Sequence, residues 1–160
     1  YSNKTWIAFS EALQTSRLKR LFIPSLGINF GQTLAFIKCV KNNSNIMELS
    51  INVVWSDDDF KDFLDGMSLL LSRLKVLHLC LKDMSSADNH STQSKVDILV
   101  SHISNSVTLK ELFLTFDYDT LSVGTDTLLK NGSLLKCTVR DRNWNVSYML
   151  ISFFLFTYIG

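Results

Sequence analysis

From Leu18 to Val139 one alternation of apolar and polar positions keeps returning. It reads Leu18-x-x-Leu21-x-Ile23, then Ile46-x-x-Leu49-x-Ile51, Leu74-x-x-Leu77-x-Leu79 and Leu109-x-x-Leu112-x-Leu114, and last Leu134-x-x-Cys137-x-Val139. The phrases start at 18, 46, 74, 109 and 134, so they are 28, 28, 35 and 25 residues apart. Within a phrase, positions two apart share a face, which predicts a strand whose second and third anchors point into a core.

Between the phrases the apolar period lengthens to that of a helix. Leu34, Ile37 and Val40 fall on one side of such a helix. So do Phe60, Phe63 or Leu64, Met67 and Leu70 or Leu71, and likewise Val96, Leu99 or Val100, and Ile103. Ahead of the first phrase, Trp6 or Ile7, Phe9 and Leu13 predict another helix, and Asp57 to Asp59 read as the cap of the one that begins at Phe60. The turns "KNNSN" (41–45), "SNSVT" (104–108) and "KNGSL" (130–134) carry the Asn, Gly and Ser that suit a helix end and a tight turn. Asn42 and Asn131 in these turns also match the N-glycosylation sequon, as do Asn3, Asn89 and Asn145; the backbone role is the reading preferred here.

The repeated unit is therefore strand, loop, helix, short turn. A unit of about 28 residues cannot bury both its strand face and its helix stripe alone, whereas stacked units can. The fold class expected is α/β: a solenoid of about five units, parallel strands on the concave side and helices on the convex side. The third interval is longer by about seven residues, and "MSSADNHSTQSK" (84–95), polar and without apolar period, is expected to be a protruding loop.

Composition narrows the function classes. Of 160 residues, 46% are hydrophobic and 19% charged, enough for a real core. A net charge of +1, with no long basic run, gives no reason to expect nucleic acid. Cys39, Cys80 and Cys137 lie far apart with no CxxC spacing, and read as buried free thiols of a reducing compartment. The chain starts at Tyr1 and closes on an apolar run, so it is expected to be a piece of a longer protein. Residues 144–159 carry no charge. Three readings of this tail (142–160) stay open: the start of a membrane-spanning helix, a cover for the end of the array, or sequence foreign to the natural protein.

LxxLxL phrases at a spacing near 28, each followed by a helix, resemble leucine-rich repeats of the ribonuclease-inhibitor type over residues 5–141. That subclass occurs in the recognition domains of NOD-like immune receptors and in intracellular adaptors. The family usually places Asn or Cys eight residues after the first leucine, where the side chain bonds exposed backbone in the bend. Here those positions hold Leu26, Val54, Lys82 and Asp117, a departure from the pattern. The resemblance implies a protein-binding module with no catalytic activity, a fragment of a NOD-like-receptor-type signalling protein, cytoplasmic in location. The alternatives it leaves are a substrate-recruiting adaptor of the F-box type and the ectodomain of a membrane-anchored receptor.

If the phrases are strands, the residues between the anchors face outward on the concave sheet. The middle column is Phe22, Ser50, His78, Phe113, Thr138, and beside it stand Arg20, Glu48 and Glu111. Phe22 and Phe113 are candidate anchors for a protein partner, since buried aromatic side chains dominate interface energies. His78 has only Cys80 beside it on its own strand, too little for a metal site. No Ser-His-Asp or Cys-His spacing and no glycine-rich phosphate loop is present, and "WSDDDFKD" lacks the later Gly and Glu of a calcium loop. Neither cofactor nor metal is expected.

Overall fold

The computed structural model describes residues 3–23, 30–55, 60–83, 89–116, 125–140 and 146–149. Helices and strands alternate along the chain. They are α1 (Asn3–Thr15), β1 (Arg20–Ile23), α2 (Phe30–Asn42), β2 (Glu48–Trp55), α3 (Phe60–Leu71) and β3 (Val76–Asp83). After these come α4 (Asn89–Ser104), β4 (Glu111–Phe116), α5 (Thr125–Leu129), β5 (Lys136–Arg140) and β6 (Val146–Met149). The six strands form one sheet in chain order. β1 to β5 are mutually parallel and β6 joins β5 antiparallel.

The apolar anchors set the register. Leu21, Leu49, Leu77, Leu112 and Cys137 stand opposite one another, as do Ile23, Ile51, Leu79, Leu114 and Val139. Apart from Leu21 at the edge, which packs partly buried against the core, all are buried in a single cluster. Phe63, Met67 and Leu70 of α3 and Val96, Leu99 and Ile103 of α4 enter that same cluster. One face of the sheet is thus covered by helices, and each leucine buried there contributes roughly 1.5–3 kcal/mol.

The unequal spacing of the phrases does not disturb the stacking. The residue after each first anchor bonds its counterpart one unit back: Met47 N to Lys19 O at 2.9 Å, Lys75 N to Met47 O at 2.8 Å, Lys110 N to Lys75 O at 2.8 Å and Leu135 N to Lys110 O at 2.8 Å. Four residues of the surplus in the third interval go into the helix instead. α4 has 16 residues against 12 in α3, so residues 89–95 are its opening turns and not a loop as expected; 84–88 lie outside the described residues. Asn and Ser are common where helices begin, so a polar start hid this helix from a search for apolar period.

The turns that lead into the strands stitch the units together. Asn43 is buried and donates from Nδ2 to the carbonyls of Leu13 and Ser16. Arg73 reaches the carbonyls of Lys41 and Val40. Thr108 Oγ1 donates to Leu71 O and Leu74 O at 2.9 and 3.0 Å. Asn131 Nδ2 donates to Ser106 O at 2.9 Å while its Oδ1 accepts from Ser133 N at 2.8 Å. Each rung satisfies carbonyls orphaned at the end of the preceding helix. This explains the turn composition better than left-handed backbone does: Gly132 lies outside the left-handed region.

Two expectations change at the first unit. Of the stripe read in α1, Leu13 is buried, but Ile7 is 56% and Phe9 38% exposed, and Ser10 is buried instead. Among the described residues α1 packs chiefly on α2, at the edge of the helix layer, and no described helix covers its other flank. Leu18 is 47% exposed for the same reason, whereas its counterparts Ile46, Leu74, Leu109 and Leu134 are fully enclosed. The cap read at Asp57 to Asp59 lies outside the described residues, although α3 does begin at Phe60. Cys39, Cys80 and Cys137 form no disulfide, and of the three Cys137 alone is buried. Of the tail, Val146–Met149 form β6; residues 150–160 lie outside the described residues. Among the described residues no helix is long and apolar enough to cross a membrane.

Candidate protein-binding face

Strand alternation that sends the leucines toward the helices sends every other side chain to the opposite face. The parallel register then sorts those side chains into rows. Phe22, Ser50, His78, Phe113 and Thr138 are consecutive partners across β1 to β5. A second row runs Arg20, Glu48, Val76, Glu111, Lys136. All eight candidate residues therefore lie in two neighbouring rows on one face.

They are not equally open. Phe22 is 68% exposed on the edge strand. Ser50, His78, Phe113, Glu48 and Glu111 are half-buried, and Arg20 is exposed. Thr138 is only 5% exposed, which corrects its place in the open column: it is a small side chain on a strand flanked by β4 and β6. Phe113 is also less free than expected. Its ring centroid lies 4.1 Å from that of His78, tilted by 57°, and Lys136 Nζ lies 4.7 Å from the centre of the ring. The contact to Lys136 is a cation–π interaction. That pairing leaves no signal in the sequence, because it needs β4 and β5 brought into register.

Two adjoining clefts open on the face and share Ser50 and His78. The larger, about 370 Å³, runs from Ser50 and Asn52 past His78 and Phe113 to Thr115 and Arg140. The smaller, about 200 Å³, is bounded by Arg20, Phe22, Glu48, Ser50, Val76 and His78. Ser50 makes this relief: it is the small residue of its row between Phe22 and His78.

The charges are concentrated in the second row. Arg20 Nε lies 3.0 Å from Glu48 Oε2. Burial lowers the pKa of His78 below its ordinary value; Glu111 and Glu48 oppose the shift and Lys136 reinforces it. Burial also raises the Cys137 thiol to about 11, leaving it a packing residue without nucleophilic character. Among the described residues no three His, Cys, Asp or Glu side chains converge as metal ligands. The arrangement offers a shaped, mixed polar and aromatic surface on a rigid sheet.

The chain matches no family model and no curated protein. The class that fold and face define is accordingly structural: a parallel α/β array with one sheet face covered by helices and the other left open by the described residues.

Proposed function

We propose that the chain is a leucine-rich-repeat solenoid that recognises another protein across its open, concave sheet face. The observation that carries the reading is the register: five successive phrases place the same strand position in one row, so that Phe22, Ser50, His78 and Phe113 form a continuous relief. An exposed aromatic, Phe22, lining one of two adjoining clefts is the composition of a protein-binding hot spot. The repeat resembles that of NOD-like receptors, and the protein is proposed to be the recognition region of a cytoplasmic receptor of that type.

The test is site-specific photocross-linking. A photoreactive phenylalanine at position 22 is expected to capture a discrete protein partner, and the same group at position 98 is not, because Ile98 lies exposed on α4 of the helix layer. Ser50→Arg fills the clefts without touching the core and is expected to abolish capture. Equal labelling from positions 22 and 98, or capture unaffected by Ser50→Arg, overturns the proposal.

A further inference from the structure

We infer that the edge formed by α1 and β1 is a docking surface for one more repeat of the same kind. The occupant is a helix end, its turn and a strand parallel to β1, supplied by the polypeptide that leads into α1. Three features of the edge point to it. The first is a series of donors. The residue just ahead of each first anchor bonds a carbonyl one repeat earlier: Asn45 reaches Ser16 O at 3.1 Å, Arg73 reaches Lys41 O at 2.7 Å, Thr108 reaches Leu71 O at 2.9 Å and Ser133 reaches Ser106 O at 2.8 Å. Arg17 holds this position at the first anchor, is the same residue type as Arg73 and is exposed. The second is apolar surface. Leu18 is 47% exposed where Ile46, Leu74, Leu109 and Leu134 are at most 1% exposed. Phe9, nine residues before its anchor as the buried Ile37 and Val100 are before theirs, is 38% exposed. The third is backbone. β1 is the edge strand, and Lys19 is the counterpart of Met47, Lys75, Lys110 and Leu135, whose N–H groups each donate one repeat back.

A repeat answers all three features at once, because the same junction already occurs four times within the chain. Its helix end offers the carbonyls that Arg17 would bond, and its strand covers Leu18 and the backbone of Lys19. Chain order names the source. Each later helix follows a strand by four to eight residues, and that strand lies beside the one to which the helix leads. α1 leads to β1, so the strand before α1 belongs on the outer edge of β1. A second copy of the chain does not fit. Among its described strands β2 to β5 are flanked on both sides, which leaves β1 and β6. With the helix layers kept on one face, both of these would run antiparallel to β1.

The test extends the 160-residue chain with a copy of its own residues 30–59, comprising α2, its turn, β2 and the connector, placed ahead of Tyr1. The extended chain is expected to melt at least about 5 °C higher than the chain alone. Hydrogen exchange at the Lys19 amide should slow at least about tenfold. Arg17→Ala should leave the melting point of the 160-residue chain within about 1 °C and remove about 3 °C from that of the extended one. The control is the same extension with Leu49→Asp and Ile51→Asp in the copy, which removes the inward anchors of the added strand. Equal melting points for the two extensions, or an unprotected Lys19 amide, overturn the inference. So does a complete coding sequence with no L-x-x-L-x-(L/I) phrase starting about 25–35 residues ahead of Leu18, the spacing found within the chain. Sedimentation supplies the last arm: a dimer of the 160-residue chain that Leu18→Asp dissociates puts a second copy on this edge instead. The edge is not part of the open sheet face, so the cross-linking result from position 22 stands or falls separately.

Discussion

His78 shows how a side chain on a sheet face acquires chemistry from its row. Its ring is covered on one side by Phe113 and half removed from water. Desolvation disfavours the imidazolium, and this outweighs the attraction of Glu111 and Glu48. The folded protein therefore binds a proton at His78 less readily than the unfolded chain does. By linkage, this contribution to stability is fully present above pH 6.5, the ordinary value, and is lost as pH falls through the lower folded value. An NMR titration should find the His78 midpoint below that of a model peptide, and Phe113→Ala should return it toward 6.5 by admitting water. A wild-type midpoint at or above 6.5 contradicts the buried ring contact. Asn131 illustrates the opposite case, a residue whose motif misleads. It carries a sequon, yet it is buried and holds Ile103 O, Ser106 O and Ser133 N, so no glycan fits it in the folded protein.

Helices α2 and α3 meet at a contact that their apolar stripes do not specify. Gly66 sits on the buried face of α3, and a Cβ added there would fall within the Ile37 side chain of α2, which is itself fully buried. Helix propensity argues for alanine at this position by up to about 1 kcal/mol. Overpacking argues against it by about 1–3 kcal/mol, and because Ile37 has nowhere to move the steric cost wins. Gly66→Ala is expected to lower unfolding free energy by about 1 kcal/mol or more in urea denaturation, against the usual direction of that substitution in helices. The Lys38–Asp62 pair across the same two helices, at 3.8 Å and more than half exposed, is worth far less. Strands β2 and β3 show a related effect. Each runs eight residues, through positions 54 and 82 where the resembling family bends on an Asn or Cys. Without that side chain to bond the bend, the strand hydrogen bonds continue.

The array as a whole is held by one core shared among all its units, so damage at its centre is felt everywhere. Leu112 is fully buried on β4 between Leu77 and Cys137. Leu112→Asp would bury a charge with no partner among those apolar neighbours, a cost of several kcal/mol against a total stability of about 5–15 kcal/mol. Loss of the cooperative thermal transition by circular dichroism is expected. Phe22→Asp, on the open face, should shift stability by no more than about 0.5 kcal/mol. If the two variants behave alike, the division of the sheet into a covered and an open face is wrong.

That division was legible before any coordinates, because strand alternation is local: two residues of chain suffice to say which side chains share a face. The spacing of the phrases likewise announced the parallel order, since each unit needs a neighbour to bury its leucines. Contacts between units were beyond such reasoning. Lys136 over Phe113, the Asn131 rung and the approach of Gly66 to Ile37 join residues about 23 to 29 positions apart, and the closed position of Thr138 depends on having β4 and β6 on either side of it. Periodicity names the face a side chain takes, but the depth at which it lies and the group it touches depend on how neighbouring units settle against one another.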